Sequence, residues 1–207
     1  PAPGVVTVDN QLRTTENGHR RVDLDREVTG RSMVLTLKGR VPLRASAVRY
    51  YRTVPDPTAY FTAAFAAQLR EQGITVSGAY LDGESPEDAS ELLTLKSPPL
   101  ASILMDMNKY SSNFIAEQVL KTLGAEVSGA PGTTAGGIAV LEDYLASLGI
   151  PREEFKLING SGLTRNARLR PTHLTAVMAD MAGDPRVGHE FMASLAIGGR
   201  DGTLWAR

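Results

Sequence analysis

The 207-residue chain carries 22 Lys and Arg residues against 23 Asp and Glu residues, which leaves a net charge of −1. A nearly neutral chain is not suited to binding nucleic acid or another polyanion. The sequence contains no Cys, so disulfides and thiolate metal sites are excluded. No apolar run approaches the ~18 residues of a transmembrane helix, and the first residues lack the pattern of a signal peptide. The length fits one large domain or two small ones.

The first 55 residues predict β-strands. Valine-rich or alternating apolar segments occur at Val5–Val8, at Val22 and Leu24, at Met33–Leu37 and at Val48–Val54. Short connections that contain Gly18 or Gly30 favour antiparallel pairing of sequential strands. The polar residues between the apolar positions predict a sheet with one solvated face.

A helix is predicted next, because Asp56-Pro57-Thr58 combines a capping residue with a proline suited to the first turn. Its expected buried stripe consists of Tyr60, Phe61, Ala64, Phe65 and Leu69, and Gly73 is expected to close it. Ile74, Val76 and a residue near Tyr80 predict a further strand. The acidic segment Asp82–Glu91 predicts an exposed loop, and we place a domain boundary there, near Leu92.

The chain is organised around Met107–Glu117. Leu100–Met107 predicts a short helix, and Ile115, Val119 and Leu123 predict one face of a second helix that ends at Gly124. The polar residues between the two apolar segments are Asn108, Lys109, Tyr110, Ser111, Ser112 and Asn113. A plain interpretation is that Ser112 or Asn113 caps the second helix.

Beyond this stretch, helices are predicted at Thr134–Leu148, along the stripe from Leu174 to Met181, and at Val187–Leu195. The Gly-rich segment 129–137 lacks the Lys of a phosphate-binding loop, and we interpret it as a flexible entry to a helix. His19, His173 and His189 are scattered. Their spacing predicts no zinc site, and nothing else in the sequence indicates a cofactor.

Three strings carry a family resemblance. Ser111-Ser112-Asn113 has the Ser-x-Asn form found in penicillin-recognising serine enzymes beside Ser-x-x-Lys and Lys-Thr-Gly. It lies between Met107-Asn108-Lys109-Tyr110 and Ala116-Glu117, and is followed by Asn159–Arg165 and by Gly198–Leu204. Together these strings resemble the D-alanyl-D-alanine carboxypeptidase/endopeptidases of the low-molecular-mass, class C penicillin-binding proteins. Residues 1–96 match that family only loosely.

The resemblance implies an α+β fold with two parts. Residues 1–92 would be a partial, β-rich inserted domain with one helix. Residues 93–207 would be the mainly helical portion of a transpeptidase-like catalytic domain. It also implies that the protein cleaves peptidoglycan stem peptides ending in D-Ala-D-Ala, is acylated by β-lactam antibiotics, and works outside the cytoplasmic membrane, in the periplasm or extracellularly.

The resemblance also implies roles for particular residues. Ser111 would relay a proton towards the leaving amine, and Asn113 would hydrogen-bond the substrate amide and orient a catalytic Lys. Ser161, Gly162 and Leu163 would line the cleft edge; the alternative is a helix-linking turn packed by Leu163. Lys109 is grouped with the substrate-binding residues because its charge could act on the cleft, and it could equally be a solvated surface Lys.

The sequence departs from the family pattern at important points. It contains neither Ser-x-x-Lys nor Lys-Thr-Gly, since Lys121-Thr122 is followed by Leu123. Asn159 stands where the family usually has Asp. We therefore expect this chain to be an internal fragment that is inactive alone. The competing interpretations are a non-catalytic cell-wall-binding or interaction module on the same scaffold, and a β-lactamase or esterase relative.

Overall fold

The structure is a computed structural model, and it describes residues 2–78, 81–84 and 86–206. These residues form two compact units, Pro1–Ser90 and Glu91–Arg207. Among the described residues, a three-stranded sheet comes first and six α-helices follow it, so the α+β class is confirmed. No described helix combines the length and the apolar character needed to cross a membrane.

In the described part of the first unit, the sheet has three strands, β1 (Val6–Thr15), β2 (Arg21–Thr29) and β3 (Ser32–Pro42). β2 and β3 form an antiparallel hairpin through Gly30 and Arg31, as the sequence predicts. β1 instead pairs with β3 in parallel, so the strand order is β1-β3-β2 and the expectation of antiparallel pairing throughout is wrong. The apolar β3 takes the central place, and the highly charged β2 takes an edge, where its charges discourage further pairing.

Helix α1 (Pro57–Glu71) begins where the sequence predicts, because the Asp56 carboxylate accepts the N–H of Ala59 at 2.8 Å. The core of this unit consists of Ala2, Val5, Val6 and Met33, with Ala59, Tyr60, Ala63 and Ala64 of α1 packed against it. The helix therefore presents its alanine-rich side to this core. Phe61 and Phe65 are exposed and stack on each other at a centroid distance of 6.0 Å, so their assignment to the buried stripe is wrong.

Two further strand predictions in this unit are wrong. Residues 48–54 and 74–77 are irregular, since they have no strand partner in the described part of the chain. The second of these predictions also included a residue near Tyr80, and residues 79 and 80 lie outside the described residues.

The second unit contains α2 (Leu100–Tyr110), α3 (Asn113–Ser128), α4 (Thr134–Ser147), α5 (Pro171–Gly183) and α6 (Gly188–Ser194). The helix predictions in this region are confirmed, although α2 continues for one more turn and includes Asn108, Lys109 and Tyr110. Part of its core is Leu145, Ile150 and Phe155, against which Ala176 and Val177 of α5 pack.

Helices α3 and α4 pack through glycines. A Cβ built on Gly124 would lie 2.7 Å from the Gly137 backbone nitrogen, and one built on Gly137 would overlap the Leu120 carbonyl oxygen. Gly124 therefore does not end α3, which continues to Ser128. The 129–137 segment leads into α4 as predicted, and its last two glycines, Gly136 and Gly137, lie inside that helix and form part of a tight helix-helix contact.

Candidate functional site

The link between α2 and α3 consists of only two residues, Ser111 and Ser112. Ser112 is the N-cap of α3, and its hydroxyl accepts the N–H of Ile115 at 3.4 Å. The capping interpretation therefore holds for Ser112. Asn113 is the first residue of α3 and is exposed.

Ser111 has an unusual backbone conformation, with φ 53° and ψ 49°. It is the one non-glycine residue with positive φ in the part of the chain that the structure describes. A side chain in this left-handed region costs about 1–2 kcal/mol, and such residues persist only where their surroundings hold them. The exposed Ser111 and Asn113 thus lie on either side of the capping Ser112, and neither of them supplies the cap.

Lys109, in the last turn of α2, is nearly buried, with 12% of its side chain exposed. Its Nζ donates to Asp201 Oδ2 at 2.7 Å and to the Leu195 carbonyl oxygen at 2.9 Å. The alternative that Lys109 is a solvated surface Lys is therefore wrong. Its assignment to substrate binding stays a prediction, with two of its three N–H donors committed to the protein.

Asp201 completes this ion pair, and its other carboxylate oxygen accepts the Ile197 N–H at 2.8 Å. Hydrogen bonding from Lys109, followed by that from the Ile197 N–H, lowers the pKa of the Asp201 carboxyl below its ordinary value. The carboxylate is therefore ionised at neutral pH, which suits a permanent partner for the ammonium group.

The turn that contains Ser161 is held by Glu117, from the second turn of α3. The Glu117 carboxylate accepts the Ser161 hydroxyl at 2.6 Å, the Ser161 N–H at 3.0 Å and the Gly160 N–H at 3.3 Å. The hydroxyl hydrogen bond from Ser161 is the main cause that lowers the pKa of Glu117. The Ser161 hydroxyl donates its one hydrogen here, so it shapes the turn.

The same turn is held by Asn159, at the position where the family resemblance predicts Asp. The Asn159 side-chain oxygen accepts the Gly162 N–H at 3.0 Å. A carboxylate could accept the same bond, so Asn and Asp would hold this turn alike and differ by one negative charge. Leu163 is 74% exposed, and the alternative in which it packs the turn is therefore wrong.

The other two family strings, Asn159–Arg165 and Gly198–Leu204, thus both form hydrogen bonds with the central string. Lys109 joins the end of α2 to Asp201, and Glu117 joins α3 to Ser161. Sequence reasoning gave no role to Asp201 or Glu117, although both lie inside the recognised strings. Within the described residues, no group of three or more His, Asp or Glu side chains is arranged to hold a metal ion.

Comparison with known proteins gives a consistent result. The chain is 32% identical over 202 residues to a D-alanyl-D-alanine carboxypeptidase of Actinomadura sp. (strain R39), a match that covers 96% of this chain and 37% of that protein. It is 29% identical over 154 residues to the D-alanyl-D-alanine carboxypeptidase DacB of Haemophilus influenzae, covering 74% of this chain and 32% of that protein.

The fold agrees with these sequence matches. A crystal structure of penicillin binding protein 4 (dacB) from Haemophilus influenzae, complexed with a novel β-lactam, matches 100% of this chain and 48% of its own length, at TM-score 0.72 and 26% identity. The chain therefore spans about a third of the curated relatives described here and about half of the solved one. The sequence profile of the D-Ala-D-Ala carboxypeptidase 3 (S13) family matches residues 1–207, and the chain belongs to that family.

Proposed function

We propose that these residues are part of a serine-type D-Ala-D-Ala carboxypeptidase/endopeptidase. The protein would cleave peptidoglycan stem peptides through an acyl-enzyme and would be acylated by β-lactams, in the periplasm or outside the cell. Family membership and the relative crystallised with a β-lactam support this proposal. In domain terms, the Glu91–Arg207 unit would belong to the transpeptidase-like catalytic domain, and the Pro1–Ser90 unit would be an inserted domain.

One observation carries the proposal for the site: Ser111 is exposed and held at φ 53° inside the Ser-x-Asn string. Strain of this kind is concentrated at functional sites, and a hydroxyl can both accept and donate a proton. Ser111 would pass a proton to the amine of the departing D-Ala. Asn113 would bind the substrate amide through its carboxamide, and the turn of Ser161, Gly162 and Leu163 would border the cleft.

The acylation step requires a serine nucleophile and a base that activates it. In the proposed enzyme these come from a Ser-x-x-Lys segment, which the 207 residues do not contain. The nucleophile would attack the carbonyl carbon of the penultimate D-Ala, the peptide bond would break, and the terminal D-Ala would leave as the amine. Water would then hydrolyse the ester.

The test uses the full-length protein that carries these residues. Incubation with a stem-peptide mimic ending in D-Ala-D-Ala should release D-Ala, and a fluorescent penicillin should label the protein stoichiometrically and block that release. Rapid turnover of the penicillin without release of D-Ala would indicate a β-lactamase. Neither label nor release would favour a non-catalytic cell-wall-binding module.

A further inference from the structure

The last turn of α2 is fixed to the segment 194–202 by side chains from two successive residues. Lys109 donates to Asp201 and to the Leu195 carbonyl oxygen, as described above. Asn108 Nδ2 donates to the buried Ser194 hydroxyl at 2.7 Å, and that hydroxyl donates to the Phe191 carbonyl oxygen at 2.6 Å. The end of α2 therefore cannot rotate or slide without breaking several hydrogen bonds.

Backbone packing reinforces this attachment. A Cβ built on Gly202 would overlap the Lys109 carbonyl oxygen, so the chain after Asp201 lies directly against the turn that leads to Ser111. Asp201 is itself fixed, because its second oxygen accepts the Ile197 N–H. The carboxylate thus provides a fixed partner for Lys109.

The Ser111 conformation depends on this same turn of α2. The backbone N–H groups of Ser111 and Ser112 both donate to the Met107 carbonyl oxygen, the second at 3.0 Å. These two bonds set the direction in which the chain leaves the helix. Movement of the turn would release Ser111 towards an unstrained conformation.

We propose that Lys109 and Asp201 form a positioning pair that holds Ser111 in its left-handed conformation for the proton relay. The inference rests on the proposed function of Ser111. In this role Lys109 acts through the end of α2, and the role requires no contact between Lys109 and the stem peptide. A single ion pair that is largely withdrawn from water contributes little net stability, because desolvation offsets much of the attraction. The Lys109–Asp201 pair instead fixes the position of the last turn of α2, and with it the backbone conformation of Ser111.

The test compares variants of the full-length protein by their acylation rate constants with benzylpenicillin. Asp201→Asn keeps the size of the side chain and removes its charge. Since a displacement of about 1 Å can cost 10²-fold in rate, we expect the rate per titrated active site to fall about 10- to 100-fold. For D-Ala release, kcat should fall while KM changes little. Asp106→Asn, which removes an exposed acid from α2, should leave the acylation rate constant and kcat unchanged.

The double variant Lys109→Met/Asp201→Asn provides a second check. The effects of residues that act as one unit are not additive, so the double variant should be acylated no more slowly than the slower of the single variants Lys109→Met and Asp201→Asn. If Asp201→Asn does not fold, Asp201→Glu keeps the charge and displaces the carboxylate by one methylene group. That variant should still lower kcat at a melting temperature close to that of the unmodified protein, and an unchanged kcat would overturn the proposal.

Two results separate this inference from the proposed function. A normal acylation rate in Ser111→Ala would reject the proposed role of Ser111, and the positioning role with it. A slow Ser111→Ala together with an Asp201→Asn protein that is only less stable, with a normal rate per active site, would reject the positioning pair alone.

Discussion

Glu117 in α3 accepts hydrogen bonds from both the hydroxyl and the N–H of Ser161, at 2.6 and 3.0 Å. The two residues are 44 positions apart in the sequence. The carboxylate also accepts the Gly160 N–H, and Gly160 has no room for a side chain, because a Cβ there would lie 2.5 Å from the Ala116 carbonyl oxygen. The helix that begins at the Ser-x-Asn string therefore determines where the Ser161 turn lies.

Glu117→Gln should loosen this turn. The amide keeps one oxygen but presents two donors, so it cannot accept all three hydrogen bonds. Hydrogen bonds to a charged group contribute about 1.5–3 kcal/mol each, and we expect the free energy of unfolding to fall by about 1–3 kcal/mol. Urea unfolding at pH 7 measures this change. Glu126→Gln, which changes an exposed acid on the same helix, is the control. An equal loss of stability in both variants would show that the hydrogen bonds of Glu117 to the Ser161 turn do not stabilise the fold.

The contribution of Glu117 should also depend on pH. Its pKa in the folded protein lies below the ordinary value of 4.5. The carboxylate therefore stabilises the fold fully above that ordinary value, and the contribution is lost as the pH falls through the lower folded pKa. The stability difference between the unmodified protein and Glu117→Gln should be constant from pH 6 to 8 and shrink on acidification. A stability difference that grows towards low pH would mean that folding raises the pKa of Glu117, which is the opposite of the expected direction.

Gly137→Ala should destabilise the second unit despite the better helix propensity of Ala. The added methyl group would overlap the Leu120 carbonyl oxygen, and overpacking of this kind costs typically about 1–3 kcal/mol. The gain from helix propensity is at most about 1 kcal/mol. Thermal unfolding measures the net loss. Gly183→Ala is the matched control, because nothing lies within 4 Å of its Cβ position; equal melting temperatures for the two variants would contradict a tight α3-α4 contact.

The local elements were predictable because their signals are local. The Asp56 cap, the apolar spacing of α4 and the turn at Gly30 each depend on residues within a few positions. The parallel pairing of β1 with β3 was not predictable, because the alternation of residues along a strand does not specify which strand pairs with it. Gly124 resembled a helix terminator because Gly is common just after the end of a helix. Its close contact with α4 is a tertiary feature, which the local sequence does not show.

The candidate site was predictable only in part, for the same reason. The Ser-x-Asn string identifies Ser111 and Asn113, and the cap at Ser112 follows from its residue type. The partner of Lys109 is Asp201, 92 residues away, and no spacing rule connects them. Phe61 and Phe65 fit a helical stripe by periodicity, yet the sheet packs against the alanine side of α1.

The 207 residues expressed alone should not be labelled by a fluorescent penicillin. They lack Ser-x-x-Lys, and neighbouring polar groups cannot replace an activated nucleophile. Labelling followed by gel electrophoresis tests this, with the full-length protein as the positive control and circular dichroism as a check that the helices have formed. Stoichiometric acylation of the isolated segment would contradict the assignment of the nucleophile to Ser-x-x-Lys.

The role of Ser111 as a proton relay is tested most directly by the rate of D-Ala release from full-length Ser111→Ala and Ser112→Ala variants, together with their melting temperatures. If Ser111 relays a proton, Ser111→Ala should lower turnover by about 10²- to 10⁴-fold, the range for positioned acid-base groups. Ser112→Ala should cost about 1 kcal/mol of stability through the lost cap and leave turnover nearly unchanged. Equal, small rate effects in both variants, with lowered melting temperatures, would contradict the account and reduce this stretch to a helix cap.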